Sequence, residues 1–228
     1  MTRPFALACL DLAGTLVNET GSVDAAFSAA LASQGITPDS PRYAATMRYV
    51  ADTMGQSKVT VLEAILGDKH KAADANAVFE TAYNKELAGG KVTPLPGAED
   101  AIATLKAADV KVCFTTGFSP ATRDALLASL GWDKVADLVL SPADAGRGRP
   151  FPDMILTAVL RLEIDDVAQV AAVGDTVNDL LTARRAGCGA VIGVLTGAHD
   201  RAALASASHT HIVASIGDVP PLLQVERS

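Results

Sequence analysis

Residues 5–17 read Phe5-Ala6-Leu7-Ala8-Cys9-Leu10-Asp11-Leu12-Ala13-Gly14-Thr15-Leu16-Val17. Six consecutive apolar residues end on an acid, and a glycine and a threonine follow directly after. A short run without polar alternation predicts a strand buried on both faces, and an acid at its C-terminal tip predicts chemistry there. The rest of the chain decides what sheet that strand joins.

From Val110 onward, short apolar runs alternate with helical patterns. Strands are expected at Val110–Phe114, Leu138–Leu140, Val170–Val173 and Ala190–Leu195, with helices after Ser119, after Pro152 and from Asn178. That alternation predicts an α/β fold with a Rossmann-like parallel sheet covered by helices on both faces. Between Val17 and Gly89 the pattern is helical instead. One helix carries Ser22 and Asp24 as candidate caps and Gly35 as its stop, and further helical patterns cover Pro41–Leu66 and Ala72–Leu87. Gly89–Gly97, with two prolines and three glycines, reads as a hinge. Residues 1–16 and 95–228 are therefore assigned to an α/β core domain, and 17–94 to an inserted all-helical cap domain over the strand tips.

Composition narrows the partner. The 228-residue chain has a net charge of −7, no basic run and 4% aromatic residues, so nucleic acid finds neither an electrostatic footprint nor a stacking platform. A small-molecule partner is expected. The apolar run before Asp11 is too short for a secretory segment or a membrane span, which predicts a cytoplasmic protein with no membrane partner. Cys9, Cys113 and Cys188 lie in apolar or Gly/Ala surroundings without paired ligand spacing and read as buried thiols. His209 and His211 alternate as neighbours on an edge strand do. The alanine-rich Asp24–Ala32 stretch is mildly amphipathic and is the candidate contact for a homodimer.

Four predicted strand ends carry complementary chemistry. Asp11 and Thr15 stand at the first. Cys113-Phe114-Thr115-Thr116-Gly117 places hydroxyls and a glycine amide at the second, where Thr116 is preferred over Thr115 as a phosphoryl ligand. Arg149 precedes a proline at the third, and Asp175 and Asp179 follow the fourth. Carboxylates gathered in one crevice repel unless they share a cation. Oxygen donors without a cysteine or histidine cluster describe Mg²⁺ rather than zinc. With that ion and an arginine to neutralise a phosphoryl group, Asp11 is placed to attack phosphorus. Asp179 has two simpler roles open to it, orienting Asp175 or capping its helix. Arg184 and Arg185 read as a solvated helix face.

These ordered stretches resemble the motifs of the haloacid dehalogenase superfamily, whose fold inserts a cap after the first strand. The resemblance implies Asp11 as nucleophile, Thr116 and Arg149 as phosphate binders, and Asp11, Ala13, Asp175 and Asp179 on the metal side. Arg149 stands where most members have lysine, and a guanidinium fork holds phosphate differently from an ammonium. Ala13 stands where typical phosphatases of the superfamily carry a general acid. Without that acid an alkoxide leaves unaided, so either the enzyme is slow or its leaving group needs no such proton.

Asp11-Leu12-Ala13-Gly14-Thr15 resembles the first motif of the phosphonatases, the phosphonoacetaldehyde hydrolases, as do Thr115-Thr116-Gly117, Gly148-Arg149-Pro150-Phe151-Pro152 and Val173-Gly174-Asp175-Thr176-Val177. In that family a cap lysine forms an imine with the substrate aldehyde. Met54-Gly55-Gln56-Ser57-Lys58 is similar to its lysine motif and implies an imine at Lys58. Thr15, Met54, Gly55 and Gly117 are expected as the accompanying substrate contacts, with packing inside the cap an equal reading for Met54. Two positions depart from the pattern: Val61 replaces a histidine and Phe118 replaces a tyrosine, so the chain reads as phosphonatase-like. A phosphonate or phosphorylated carbonyl compound is the first expected substrate class. A small-molecule phosphomonoesterase without imine chemistry is the second expected activity, and a non-catalytic binding protein the third reading.

Overall fold

The computed structural model describes residues 5–19 and 21–223. The outermost ends of the expected core domain, 1–4 and 224–228, lie outside the described residues. The first part of the chain contains β1 (Leu7–Asp11), β2 (Val17–Asn18), α1 (Ser22–Ala32), α2 (Tyr43–Asp52), α3 (Lys58–Leu66), α4 (Lys69–Ala88) and β3 (Thr93–Pro94). Then come α5 (Ala98–Ala107), β4 (Lys111–Thr115), α6 (Pro120–Leu130), β5 (Leu138–Leu140), α7 (Pro142–Ala145) and α8 (Asp153–Arg161). The remainder is β6 (Val170–Gly174), α9 (Val177–Ala186), β7 (Ala190–Val194), α10 (Arg201–Ala205), β8 (His211–Val213) and α11 (Val219–Leu222).

Six strands form one parallel sheet in the order β5-β4-β1-β6-β7-β8. Every residue of β1 is buried, because successive side chains enter different layers. Ala8 and Leu10 join the cluster containing Ile102 of α5, Leu126 of α6 and Phe27 of α1. Leu7 and Cys9 join the opposite cluster with Met154 of α8 and Leu180 of α9. This is why the run carries no polar alternation. The chain leaves β1 in one direction toward β4 and β5 and returns on its other side at β6, so the crevice opens at the tips of β1, β4 and β6.

The segment between β1 and α5 is helical apart from two short strands. β2 and β3 pair antiparallel, Val17 with Pro94 and Asn18 with Thr93, tying the outgoing and returning chains together. This two-stranded ribbon has no sequence signature, since each strand is two residues long. The helical pattern over Pro41–Leu66 is broken in the structure: α2 ends at Asp52 and α3 begins at Lys58. Gly55 between them has φ +85°, a backbone angle that no helix continues through. Ser22 is not the cap of α1. Gly21, at φ 76°, occupies that position, and Ser22 is the first helical residue.

α1 and α3 pack on α4, and α4 reaches α6 of the sheet layer. Phe27 meets Phe79 edge-on at 4.9 Å, and Phe118 reaches Tyr83 at 4.7 Å between centroids, so one aromatic cluster joins the helical segment to a loop after β4. Ala26, Phe27, Ala30 and Leu31 are buried against this core. The apolar face of Asp24–Ala32, expected to contact a second copy, is therefore occupied within the chain. β8 is the sheet edge and begins at His211, with His209 outside it. All three cysteines are free and buried. No described helix is long and apolar enough to cross a membrane.

Candidate active site

Asp11 ends β1, Asp175 follows β6, and Asp179 lies one turn into α9. Oxygens of the three carboxylates come within 4.8 Å of one another, and all three residues are buried. Arg149 is set among them. Its Nη2 lies 2.7 Å from Asp11 Oδ1, and its Nε lies 2.7 Å from Asp179 Oδ1. Nη2 also donates to Thr115 Oγ1 at 2.7 Å, and Nη1 to the Gly55 carbonyl at 3.2 Å. The planar fork thus reaches four acceptors at once.

Burial pushes the Asp11 carboxyl well above the usual carboxylate range. Arg149 pulls it back, while Asp179 and Asp175 push it further up. Burial, with Asp179 adding to it, also pushes Asp175 up to about 6. With all three carboxylates ionised, one guanidinium leaves two negative charges in a buried crevice, an excess that adds to burial in pushing Asp11 and Asp175 toward their protonated forms. A divalent cation with oxygen affinity neutralises that excess, so the donor set fits Mg²⁺.

The second oxygen-bearing contacts set these acids in place. Thr15 is fully buried, and its hydroxyl donates to Asp175 Oδ1 at 3.2 Å. It lies outside the cavity lining, so the substrate contact expected of Thr15 is replaced by an orienting contact beneath the site. The Ala198 amide donates to Asp175 Oδ2 at 2.7 Å. Asp179 accepts from the Thr176 amide at 3.1 Å and from the Thr176 hydroxyl, closing a capping box at the start of α9.

A cavity of about 270 Å³ opens above the carboxylates. Its lining contains Asp11, Ala13, Thr116, Gly117, Arg149 and Asp175 from the sheet side, and Met54, Gly55 and Lys58 from the helical segment. Thr116 faces this space, whereas Thr115 is held by Arg149. Lys58 is the first residue of α3 and is 8% exposed. Its Nζ lies 5.2 Å from the Phe118 ring centroid and 5.7 Å from that of Phe27. Burial lowers its pKa, against the pull of Glu19 and Asp11, and the positive end of α3 works in the same direction as burial. Phe118 and Val61, the two departures from the phosphonatase pattern, are both buried in apolar packing.

The helical segment is docked onto the crevice through its backbone. The Met54 carbonyl accepts from Asn178 Nδ2 at 2.7 Å, Gly55 from Arg149, and the Lys58 amide donates to the Gly117 carbonyl at 3.4 Å. A Cβ on Gly117 would stand 2.4 Å from the Gln56 carbonyl oxygen. Gly117→Ala is accordingly expected to push residues 55–58 off the crevice and lower kcat/KM by ~100-fold, with the melting temperature little changed. Steady-state kinetics beside a thermal melt check this; an unaltered kcat/KM contradicts the docking described here.

Glu19, Tyr83, Asn178 and Thr196 were not singled out by sequence. Asn178 follows Asp175 within the fourth motif, but the others belong to no motif, and only the fold brings them to this cavity or its wall.

Comparison with known proteins agrees with this architecture. A probable phosphatase, IndB of Dickeya dadantii, is 31% identical over 219 residues, 93% of this chain and 91% of that protein. A phosphonoacetaldehyde hydrolase of Pseudomonas fluorescens is 41% identical over 96 residues. That match spans 41% of this chain and only 34% of the hydrolase. The crystal structure of a hydrolase from Pseudomonas syringae superposes with a TM-score of 0.83 at 24% identity, covering 98% of this chain and 100% of that one. The family model for haloacid dehalogenase-like hydrolase matches residues 5–187, from the first strand through α9, and the chain belongs to that family.

Proposed function

We propose that this hydrolase is Mg²⁺-dependent and of the phosphonatase type, transferring a phosphoryl group from a small phosphonate or phosphorylated metabolite to Asp11. The observation that carries this reading is the Asp11–Asp175–Asp179 cluster with Arg149 inside it, opening on the cavity that also contains Lys58. Asp11, Asp175 and Asp179, with the backbone at Ala13, would hold the ion. A bound Mg²⁺ supplies positive charge against the phosphoryl oxygens and lets Asp11 stay ionised.

Asp11 supplies the attacking carboxylate oxygen, and its bond to Arg149 sets the direction of that oxygen. Thr116 and the Gly117 amide receive phosphoryl oxygens, and Arg149 opposes the charge that develops on them. The aspartyl-phosphate is then hydrolysed. On the organic side, a neutral Lys58 forms an imine with a carbonyl substrate, so that the carbon released from phosphorus departs as an enamine rather than a bare carbanion. The helical segment 17–94 acts as the cap that closes over 1–16 and 95–228 and excludes water.

A phosphomonoesterase without imine chemistry is the second reading, favoured by the near full-length likeness to a probable phosphatase. Ala13 separates outcomes here. With no acid at that position, p-nitrophenyl phosphate is expected to turn over ~100-fold or more faster than a simple alkyl phosphate, because only the alkoxide needs a proton to leave. Equal rates contradict that role for the Ala13 position. Phosphonoacetaldehyde with borohydride distinguishes the two readings: inactivation with an adduct on Lys58 supports the imine, and neither adduct nor turnover, beside turnover of a phosphate monoester, supports the esterase. Loss of phosphate release on chelation, restored by Mg²⁺, tests the ion.

A further inference from the structure

Two acids in the cavity lining, Glu19 and Asp24, have no part in the steps above. Asp24 is exposed on α1, whereas Glu19 is partly buried directly after β2, where the chain leaves the sheet. Tyr83, fully buried on α4, donates its hydroxyl to Glu19 Oε1. The phenol is fixed by its neighbours: its ring lies 4.7 Å from Phe118 and stacks at 6.1 Å on Phe79. The same Phe118 ring carries the Lys58 ammonium on its face. Glu19 and Lys58 therefore line one cavity, linked along its wall by the Tyr83 and Phe118 rings.

An imine requires both a neutral amine and an acid that releases water from the carbinolamine. Val61, at the position where phosphonatases have histidine, is buried among apolar side chains and supplies no proton. We propose that Glu19, positioned by Tyr83, is the acid–base group that serves Lys58. This inference rests on the imine reading. Lys58 Nζ adds to the substrate carbonyl carbon to give a carbinolamine. The neutral Glu19 carboxyl gives its proton to the carbinolamine hydroxyl as the C–O bond breaks, and the products are water, the protonated imine and the Glu19 carboxylate. In the reverse step that carboxylate takes a proton from the attacking water, so no further reactant is required.

Electrostatics supports the geometry. Burial raises Glu19 to about 7, the Tyr83 bond and the Lys58 charge draw it down, and Asp175 pushes it up. Near neutrality the group is present in both forms. A folded value raised above 4.5 means that the folded state binds the extra proton, so Glu19 lowers stability as pH rises from about 4.5 through about 7. Glu19→Gln removes that component, which is read as the difference between wild-type and variant denaturation curves over this window.

The deciding experiment uses the full chain with acetaldehyde and saturating cyanoborohydride from pH 5 to pH 9, scored as reduced adduct at Lys58 by peptide mass spectrometry. Wild type should trap with a rate that rises as Lys58 loses its proton and falls as Glu19 loses its own. Glu19→Gln should trap ~100-fold more slowly near neutrality and lose the falling limb. Tyr83→Phe should keep the falling limb but move it to higher pH, because the bond it removes stabilises the carboxylate. Wild-type trapping with an unchanged rate and profile in Glu19→Gln, or an unshifted limb in Tyr83→Phe, overturns the role of Glu19 and leaves the imine standing. No Lys58 adduct in wild type removes the imine, and Glu19's role with it, while Asp11 chemistry on phosphate esters continues.

Discussion

Asp11→Asn should reduce phosphate release by ~10⁴-fold or more, since a neutral amide does not displace a leaving group from phosphorus. The same change should not weaken the fold. The Asp11 carboxyl is pushed upward by burial and by Asp179 and Asp175, more than Arg149 pulls it down, so its ionised form costs stability in the folded state at pH 7–8. Asparagine has the same shape and no charge. Its melting temperature in metal-free buffer should equal or exceed that of wild type, and the excess should shrink as pH falls and wild-type Asp11 takes up its proton. A melt lowered by several degrees at pH 8 would show that the Arg149 pair outweighs the burial cost.

The second large effect belongs to Arg149. Arg149→Met leaves Asp11 and Asp179 facing each other, buried, with their shared cation removed. Breaking such a pair from one side costs about 3–5 kcal/mol, and chemical denaturation should show a loss of that size. Activity should fall by ~10³-fold, because the same guanidinium opposes charge on the phosphoryl group. Arg149→Lys should lie between. It restores a positive charge, but an ammonium does not span both carboxylates, Thr115 Oγ1 and the Gly55 carbonyl together. Losing the Gly55 bond loosens the cap loop, so the lysine variant should show a raised KM with a smaller change in kcat.

In the proposed mechanism Arg149 links chemistry to closure: one of its nitrogens bonds Asp11, the proposed nucleophile, and another bonds the Gly55 carbonyl in the loop before Lys58. Loop 54–57 reaches the crevice by backbone carbonyls, by glycines at close approach, and by the Gln56 side chain, which donates to Asn178 Oδ1 at 3.4 Å.

The α/β core was legible because its central strands are apolar runs that end in polar residues. Asp11, Thr116 and Asp175 stand at strand tips, and there linear order maps directly onto position in the crevice. Arg149, expected at the tip of the Leu138–Leu140 strand, instead reaches the crevice from the loop between α7 and α8, because a short helix intervenes after β5. The helical segment was legible as helix but not in its articulation. Apolar spacing from Pro41 to Leu66 runs through the turn at Gly55, whose left-handed backbone breaks one pattern into α2 and α3. Thr15 was expected among the substrate contacts through the phosphonatase resemblance, yet the turn after β1 aims its hydroxyl at Asp175. Glu19 and Tyr83 lie 64 positions apart, and only the packing of α4 against α1, just after Glu19 in the chain, brings them together. Burial creates their chemistry, and a linear sequence does not display burial at a loop acid.

The most direct test is rapid mixing with p-nitrophenyl phosphate and Mg²⁺, acid quench, and peptide mass spectrometry. Asp11 is predicted to carry a phosphoryl group that appears as fast as p-nitrophenol in the first turnover and disappears with phosphate release. Phosphate release with no phosphorylated Asp11 at any time, together with inverted configuration at a chiral phosphorus, would mean that water attacks directly.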